Sequence, residues 1–169
     1  MQKQVAYGEA IVRKYPEQVV IGIAKEASGK CNPIALGWTM ITSGLPPMMA
    51  VSIGLPRHSL GVFREADGFV VAMPSEHQEA ETLFYGTKSG REMDKFTEFG
   101  AKLERACEID CVLMADAVAN FECRKVGEML TGDHVLFVGE VVCSHVNEAE
   151  LDRLYTVGSG YKMGGLRRG

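Results

Sequence analysis

Two β-rich runs, "ANFECRKVGEML" (119–130) and "HVLFVGEVVCSHV" (134–146), face each other across "TGD". Turn residues between two such runs predict a long hairpin, so antiparallel pairing must lie at the centre of the fold. Shorter runs precede it. "VVIGIAKEA" (19–27), "IALGWTMIT" (34–42) and "MMAVSIGL" (48–55) are separated by "SGKCNP" and "SGLPP", with Pro56 closing the third. This Gly/Pro punctuation predicts three strands. In the second, Ile34, Leu36, Trp38 and Met40 alternate onto one face.

"SLGVFREADG" (59–68) predicts a short helix with Ser59 as its cap and Gly68 as a left-handed stop. "FVVAM" (69–73) predicts a buried strand. "SEHQEAETLFYG" (75–86) predicts a helix capped by Ser75, its early glutamates favoured by the helix dipole. Ser89 and Glu92 have capping-box spacing for a further helix, with Met93, Phe96 and Phe99 along it and Gly100 as its stop. The stretch 101–118 fits either a loop with a short strand or another helical turn. "EAELDRLY" (148–155) is short and polar, and "GSGYKMGG" (158–165) fits a last short strand. Six or seven strands with two or three inserted helices, no β–α–β rhythm and no internal repeat predict a mainly antiparallel barrel with flanking helices.

Composition narrows the function. The 169 residues favour one domain over 1–169. The net charge of −4, from 18 basic and 22 acidic side chains, argues against nucleic-acid binding, and the two arginines of the tail "GLRRG" do not make a basic face. No apolar run is long enough to span a membrane, and the start lacks the apolar core of a secretory signal. Cys31, Cys107, Cys111, Cys123 and Cys143 are odd in number and loosely spaced, which predicts reduced thiols in the cytoplasm. Cys107 and Cys111 have no second pair at zinc-finger spacing. Cys143 and His145 share a strand face, but no metal site is expected from the spacing. No catalytic acid–base or nucleophilic constellation stands out.

"GTKSGREMDKF" (86–96) sets Thr87, Lys88, Ser89, Arg91 and Lys95 around two glycines at a helix start. Hydroxyls, cations and free N–H groups there suit an anion such as phosphate. "GLPRHSLG" (54–61) offers a second cluster, with Arg57, His58 and Ser59 before a helix. Walker and Rossmann fingerprints are absent, which counts against a nucleoside triphosphatase or a dinucleotide domain. Trp38 at "LGWTMITSG" reads either as core or as the apolar wall of a planar ring whose rim Thr39, Thr42 and Ser43 would serve.

Taken in order, "NPIALGWTMITSGLPPMMAVSIGLPRHSLGVFREADGFVVAMPS", "YGTKSGREMDKF" and "ANFECRKVGEML-TGDHVLFVGEVV" resemble the flavin reductase-like, FMN-binding split-barrel family, the flavoredoxin type above all. The resemblance covers about residues 15 to 146. It implies a Greek-key split β-barrel that dimerises, with FMN rather than FAD near the subunit interface. It implies NADH or NADPH as transient electron donor, or alternatively an electron carrier that docks to a redox partner protein. It places Trp38, Thr39, Met40, Thr42 and Ser43 beside the isoalloxazine ring. Gly54, Arg57, His58 and Ser59 approach the ribityl phosphate, as do Thr87, Ser89 and Lys95. No residue is implied as a catalytic acid or base, because the flavin carries the chemistry.

Overall fold

The computed structural model describes residues 1–165. Residues 166–169, which hold most of the basic tail, lie outside the described residues. Helix α1 (Tyr7–Ile11) and strand β1 (Glu17–Gln18) precede strands β2 (Val20–Lys25), β3 (Cys31–Leu36), β4 (Thr39–Gly44) and β5 (Pro47–Gly54). Helix α2 (Ser59–Glu65), strand β6 (Gly68–Met73) and helices α3 (Glu79–Thr87) and α4 (Lys95–Phe99) follow. Strands β7 (Leu103–Arg105) and β8 (Val112–Met114) lead to the long pair β9 (Ala119–Thr131) and β10 (His134–Val146), and β11 (Leu154–Gly158) and β12 (Lys162–Gly165) come last.

Seven strands form one antiparallel sheet in the order β3-β2-β6-β9-β10-β5-β4. Its two edges, β3 and β4, are consecutive in the chain. The chain crosses from one edge to the other through Gly37 and Trp38, which curls the sheet into a split barrel. Ser52 N–H donates to the Trp38 carbonyl at 2.9 Å and ties this crossing to β5. The expected fold class is the observed one: mainly β, split and antiparallel, with short helices outside.

Two cores explain why β2 and β6 read as unbroken apolar runs. Inside the barrel, Phe63 of α2 meets Phe69 and Phe137 with ring centroids 5.4 and 5.6 Å apart. Outside it, Tyr85, Phe96 and Leu113 cover Ile21, Ile23 and Val70. Both faces of these strands are buried, so neither face needs polar side chains. Each large apolar side chain buried this way contributes about 1.5–3 kcal/mol.

Four local expectations change. The run 34–42 is not one strand: Ile34 and Leu36 are buried, but Trp38 and Met40 beyond the crossing are 48% and 51% exposed. Ser59 does not cap α2. It lies inside the helix, buried, and its Oγ accepts from Asn32 Nδ2 at 2.8 Å. Gly68 does not stop that helix. Extended Ala66 ends it, and Gly68 opens β6 by pairing with Arg124. The Ser89–Glu92 box does not form, because α4 starts later. Asp94 is its cap, accepting from the N–H groups of Phe96 and Thr97 at 3.1 and 3.2 Å.

Other expectations stand. Ser75 N–H donates to Gln78 Oε1 at 3.0 Å in a capping box ahead of α3. Gly100 ends α4 at φ 77°, and its N–H reaches the Phe96 and Thr97 carbonyls. A Cβ is disfavoured there, so Gly100→Ala should cost about 1–2 kcal/mol in urea unfolding. The open stretch 101–118 contains the β7–β8 pair, whose Leu113 and Met114 seal the outer core.

Candidate functional site

The barrel crossing, the end of α3 and the β11–β12 turn enclose a cleft of about 550 Å³. Trp38 forms one wall. Its ring centroid lies 4.5 Å from that of His134, and Lys14 Nζ sits 5.7 Å above it. Tyr15, Ser52, Gly54 and Tyr161 line the cleft. Thr82 also lines the cleft. It is 1% exposed, yet its hydroxyl has no hydrogen-bond partner among the described residues. A buried hydroxyl without a partner is uncommon in a folded protein.

A second, smaller pocket of about 170 Å³ adjoins the cleft and shares Ile34, Arg57, Gly86 and Thr87 with it. Most of its remaining lining is polar, with His58, Ser59, Lys88, Ser89, Arg91 and Lys95. Lys95 is only 3% exposed. Its ammonium donates to the carbonyls of Tyr85 at 3.1 Å and Lys88 at 3.4 Å, which leaves one of its three protons free. Burial pushes its pKa down to about 8, and the charges of Lys30 and Arg57 push the same way. Among the described residues Arg57 has no ion-pair partner. Ser59 Oγ already accepts from Asn32, so its own proton is free to donate. Four cationic side chains, Arg57, Lys88, Arg91 and Lys95, and a free hydroxyl line one small pocket, an arrangement that an anion would stabilise.

Backbone also shapes this pocket. A Cβ at Gly90 would lie 1.9 Å from Asn32 Oδ1, so the loop can close over Asn32 only with glycine there. Lys30 Nζ donates to the Gly90 carbonyl at 2.9 Å and holds the loop.

The twelve residues named from the sequence fall into two groups. Trp38, Gly54, Arg57, His58, Ser59, Thr87, Ser89 and Lys95 line the cleft or its polar extension. Within that group His58 is engaged by Glu26, with Nε2 and Oε1 3.1 Å apart. Thr87 Oγ1 donates to the Leu83 carbonyl at 2.8 Å. The other four lie along β4 and line neither pocket. Thr39 is buried with its hydroxyl donated to the Ala50 carbonyl at 2.9 Å, Met40 and Thr42 are exposed, and Ser43 borders a separate apolar groove. Lys14, Tyr15, Lys30, Thr82, His134 and Tyr161 were missed. They come from distant segments, and none sits in a motif that marks it.

Residues 12–165 match the flavin reductase like domain. The chain belongs to the flavin reductase-like family. An uncharacterized protein of Archaeoglobus fulgidus is 32% identical over 121 residues, which is 72% of this chain and 67% of that one. The FMN-binding protein of Thermus thermophilus, solved with bound p-hydroxybenzaldehyde, superposes with a TM-score of 0.85 at 24% identity, covering 98% of this chain and 95% of that chain. Flavoredoxin of Desulfovibrio vulgaris (Miyazaki F) also gives 0.85, at 19% identity over 99% and 94% of the two chains. At these identities the two structures establish the likeness of fold, and the family's split barrel is the architecture described above. No helix among the described residues is long and apolar enough to cross a membrane.

Proposed function

We propose that this chain is an FMN-dependent oxidoreductase that draws electrons from NADH or NADPH and passes them to an acceptor. The observation that carries the reading is buried Lys95, a cation with a free proton and a depressed pKa, at the closed end of a cleft walled by Trp38. A phosphate in the small pocket would take charge-assisted hydrogen bonds from Lys95 and Arg57 and a hydrogen bond from Ser59. The flat ring would lie in the larger cleft, where Trp38 and His134 supply an apolar wall and Thr82 a hydroxyl. The pocket's small size favours a terminal phosphate, hence FMN over FAD. When bound, FMN supplies the two-electron chemistry and can take hydride from a nicotinamide. The chain's part is to bind, orient and hold charge. A nicotinamide reaches the open side of the cleft.

The reading includes a homodimer. Ile41 of β4 and Leu45 of the β4–β5 turn are 75% and 94% exposed. Beside them lies an apolar groove lined by Met48, Met73, Phe121 and Val141. Such a contiguous patch suits a self-complementary interface. Light scattering should give twice the chain mass, and Ile41→Asp should shift the protein toward monomer.

The activity is tested by loading the purified protein with FMN and adding NADH or NADPH without oxygen. Loss of the oxidised flavin absorbance is the expected result. A flavin-loaded protein that neither nicotinamide bleaches would instead be an electron carrier that depends on a partner.

A further inference from the structure

A second cluster of donor side chains lies outside the cleft. One donor atom from each of Cys107, Glu122, Cys143 and His145 lies within 4.8 Å of the others. None of the four lines the cleft or its polar extension. The sheet register builds the group. An irregularity between Val141 and Cys143 sets Cys143 opposite Glu122, and His145 follows two residues on, on the same face. Cys107 arrives from the loop after β7.

Glu122 is completely buried. Its Oε2 accepts from the N–H groups of Glu108 and Ile109 at 2.7 and 3.0 Å. Its Oε1 accepts from Cys107 N–H at 2.9 Å and pairs with His145 Nε2 at 2.7 Å. Burial opposes the charge, but the bonds from Cys107, His145, Glu108 and Ile109 outweigh it and hold the carboxyl below its usual range. The carboxylate is therefore fixed in place, with the His145 ring already paired to it. Cys107 is exposed, and Cys143 and His145 are half-buried.

We propose that Cys107, Glu122, Cys143 and His145 form a binding site for a thiophilic divalent cation, with Zn²⁺ as its occupant. Two sulfurs, one imidazole nitrogen and one carboxylate oxygen make a four-donor set that suits tetrahedral zinc. Bonds of about 2.3 Å to sulfur and about 2.0–2.1 Å to nitrogen and oxygen set the donors about 3.3–3.8 Å apart. No pair is wider than 4.8 Å, so none must close by more than about 1.5 Å, and the His145–Glu122 pair at 2.7 Å must open by about 0.6 Å. The metal takes the place of the Nε2 proton of the neutral ring, which then carries its proton on Nδ1 instead, with no net change in ring protonation. Each thiol gives up its proton to solvent, so two protons leave as one cation enters. The bound ion would tie β10 to the loop between β7 and β8.

The test uses the reduced full chain, stripped with chelator and titrated with Co²⁺ and then Zn²⁺. One equivalent of Co²⁺ should give a thiolate charge-transfer band, and one equivalent of Zn²⁺ should erase it. Cys107→Ser and Cys143→Ser should each weaken binding by at least about tenfold, whereas Cys31→Ser should not. In the unmodified protein, Zn²⁺ should slow alkylation of Cys107 and Cys143 but not of Cys31. Absence of the band overturns the proposal, as does a band lost in Cys31→Ser. Equal alkylation with and without Zn²⁺, or a Cys107–Cys143 disulfide in a protein that when reduced takes up no Co²⁺, overturns it as well.

Discussion

Replacing Lys95 by Met should weaken FMN binding by about 1.5–3 kcal/mol and leave riboflavin binding within about threefold. The difference arises because only FMN carries the phosphate. The side chain is buried against two carbonyls, so the substitution also removes structural bonds. Riboflavin controls for that, since a damaged cleft would lose both ligands alike. Binding should also depend on pH, and the sign follows from linkage. Burial, with Lys30 and Arg57, puts the free protein's Lys95 pKa at about 8. An anion binds the charged form, so FMN affinity should be level up to pH about 8. Above that it should fall by up to about tenfold per unit. Below about pH 6 the phosphate loses its second charge, and affinity should fall again. In Lys95→Met the alkaline limb should vanish. Without ligand the same group works the other way. Its folded pKa lies below the ordinary 10.5, so the cost of burying the charge is present below about 8 and relieved as pH rises toward 10.5.

Glu122→Ala should lower stability by about 3 kcal/mol or more, since it leaves the N–H groups of Cys107, Glu108 and Ile109 without their acceptor. For a chain of this size that is a fall in Tm of about 6–12 °C. The sign of its pH dependence is opposite to that of Lys95. The carboxyl is held below its usual range, so its contribution is complete above the ordinary carboxylate pKa and is lost as pH falls through the folded value. Metal-free protein should show the whole effect by thermal unfolding. A shift under about 2 °C would mean the loop is held by its apolar residues alone.

Both predictions rest on features that differ in how far the sequence displayed them. The β9–β10 hairpin was plain, because two β-rich runs about "TGD" leave few alternatives. Strands β2 and β6 were plain because "VVIGIAKEA" and "FVVAM" are apolar β-rich runs bounded by turn residues. The break at Gly37–Trp38 was hidden, because two-residue alternation continues on paper through Met40 while the chain passes from one sheet edge to the other. That requirement is tertiary and leaves no local mark. The sequence spacing pointed to Ser89 as the cap, whereas Asp94 caps α4. Starting α4 after Asp94 places Lys95 in the pocket, a consequence visible only once α3 is beside it. Most residues of the small polar pocket were legible because they cluster in "PRHS" and "TKSGREMDK". Lys30, Thr82 and Tyr161 were not, since each reaches the site from elsewhere. The Glu122 network eluded periodicity because its acceptor is a side chain and its donors are loop backbone.

The central claim is that a phosphate-bearing flavin occupies the joined cleft and polar pocket. Titrating the flavin-free protein with FMN and with riboflavin, in the same buffer near pH 7 and without added phosphate, tests it most directly. The account predicts that FMN binds at least about tenfold tighter than riboflavin, the lower bound for one charged hydrogen bond to the phosphate. Equal affinity for the two, or no binding of either, would contradict it.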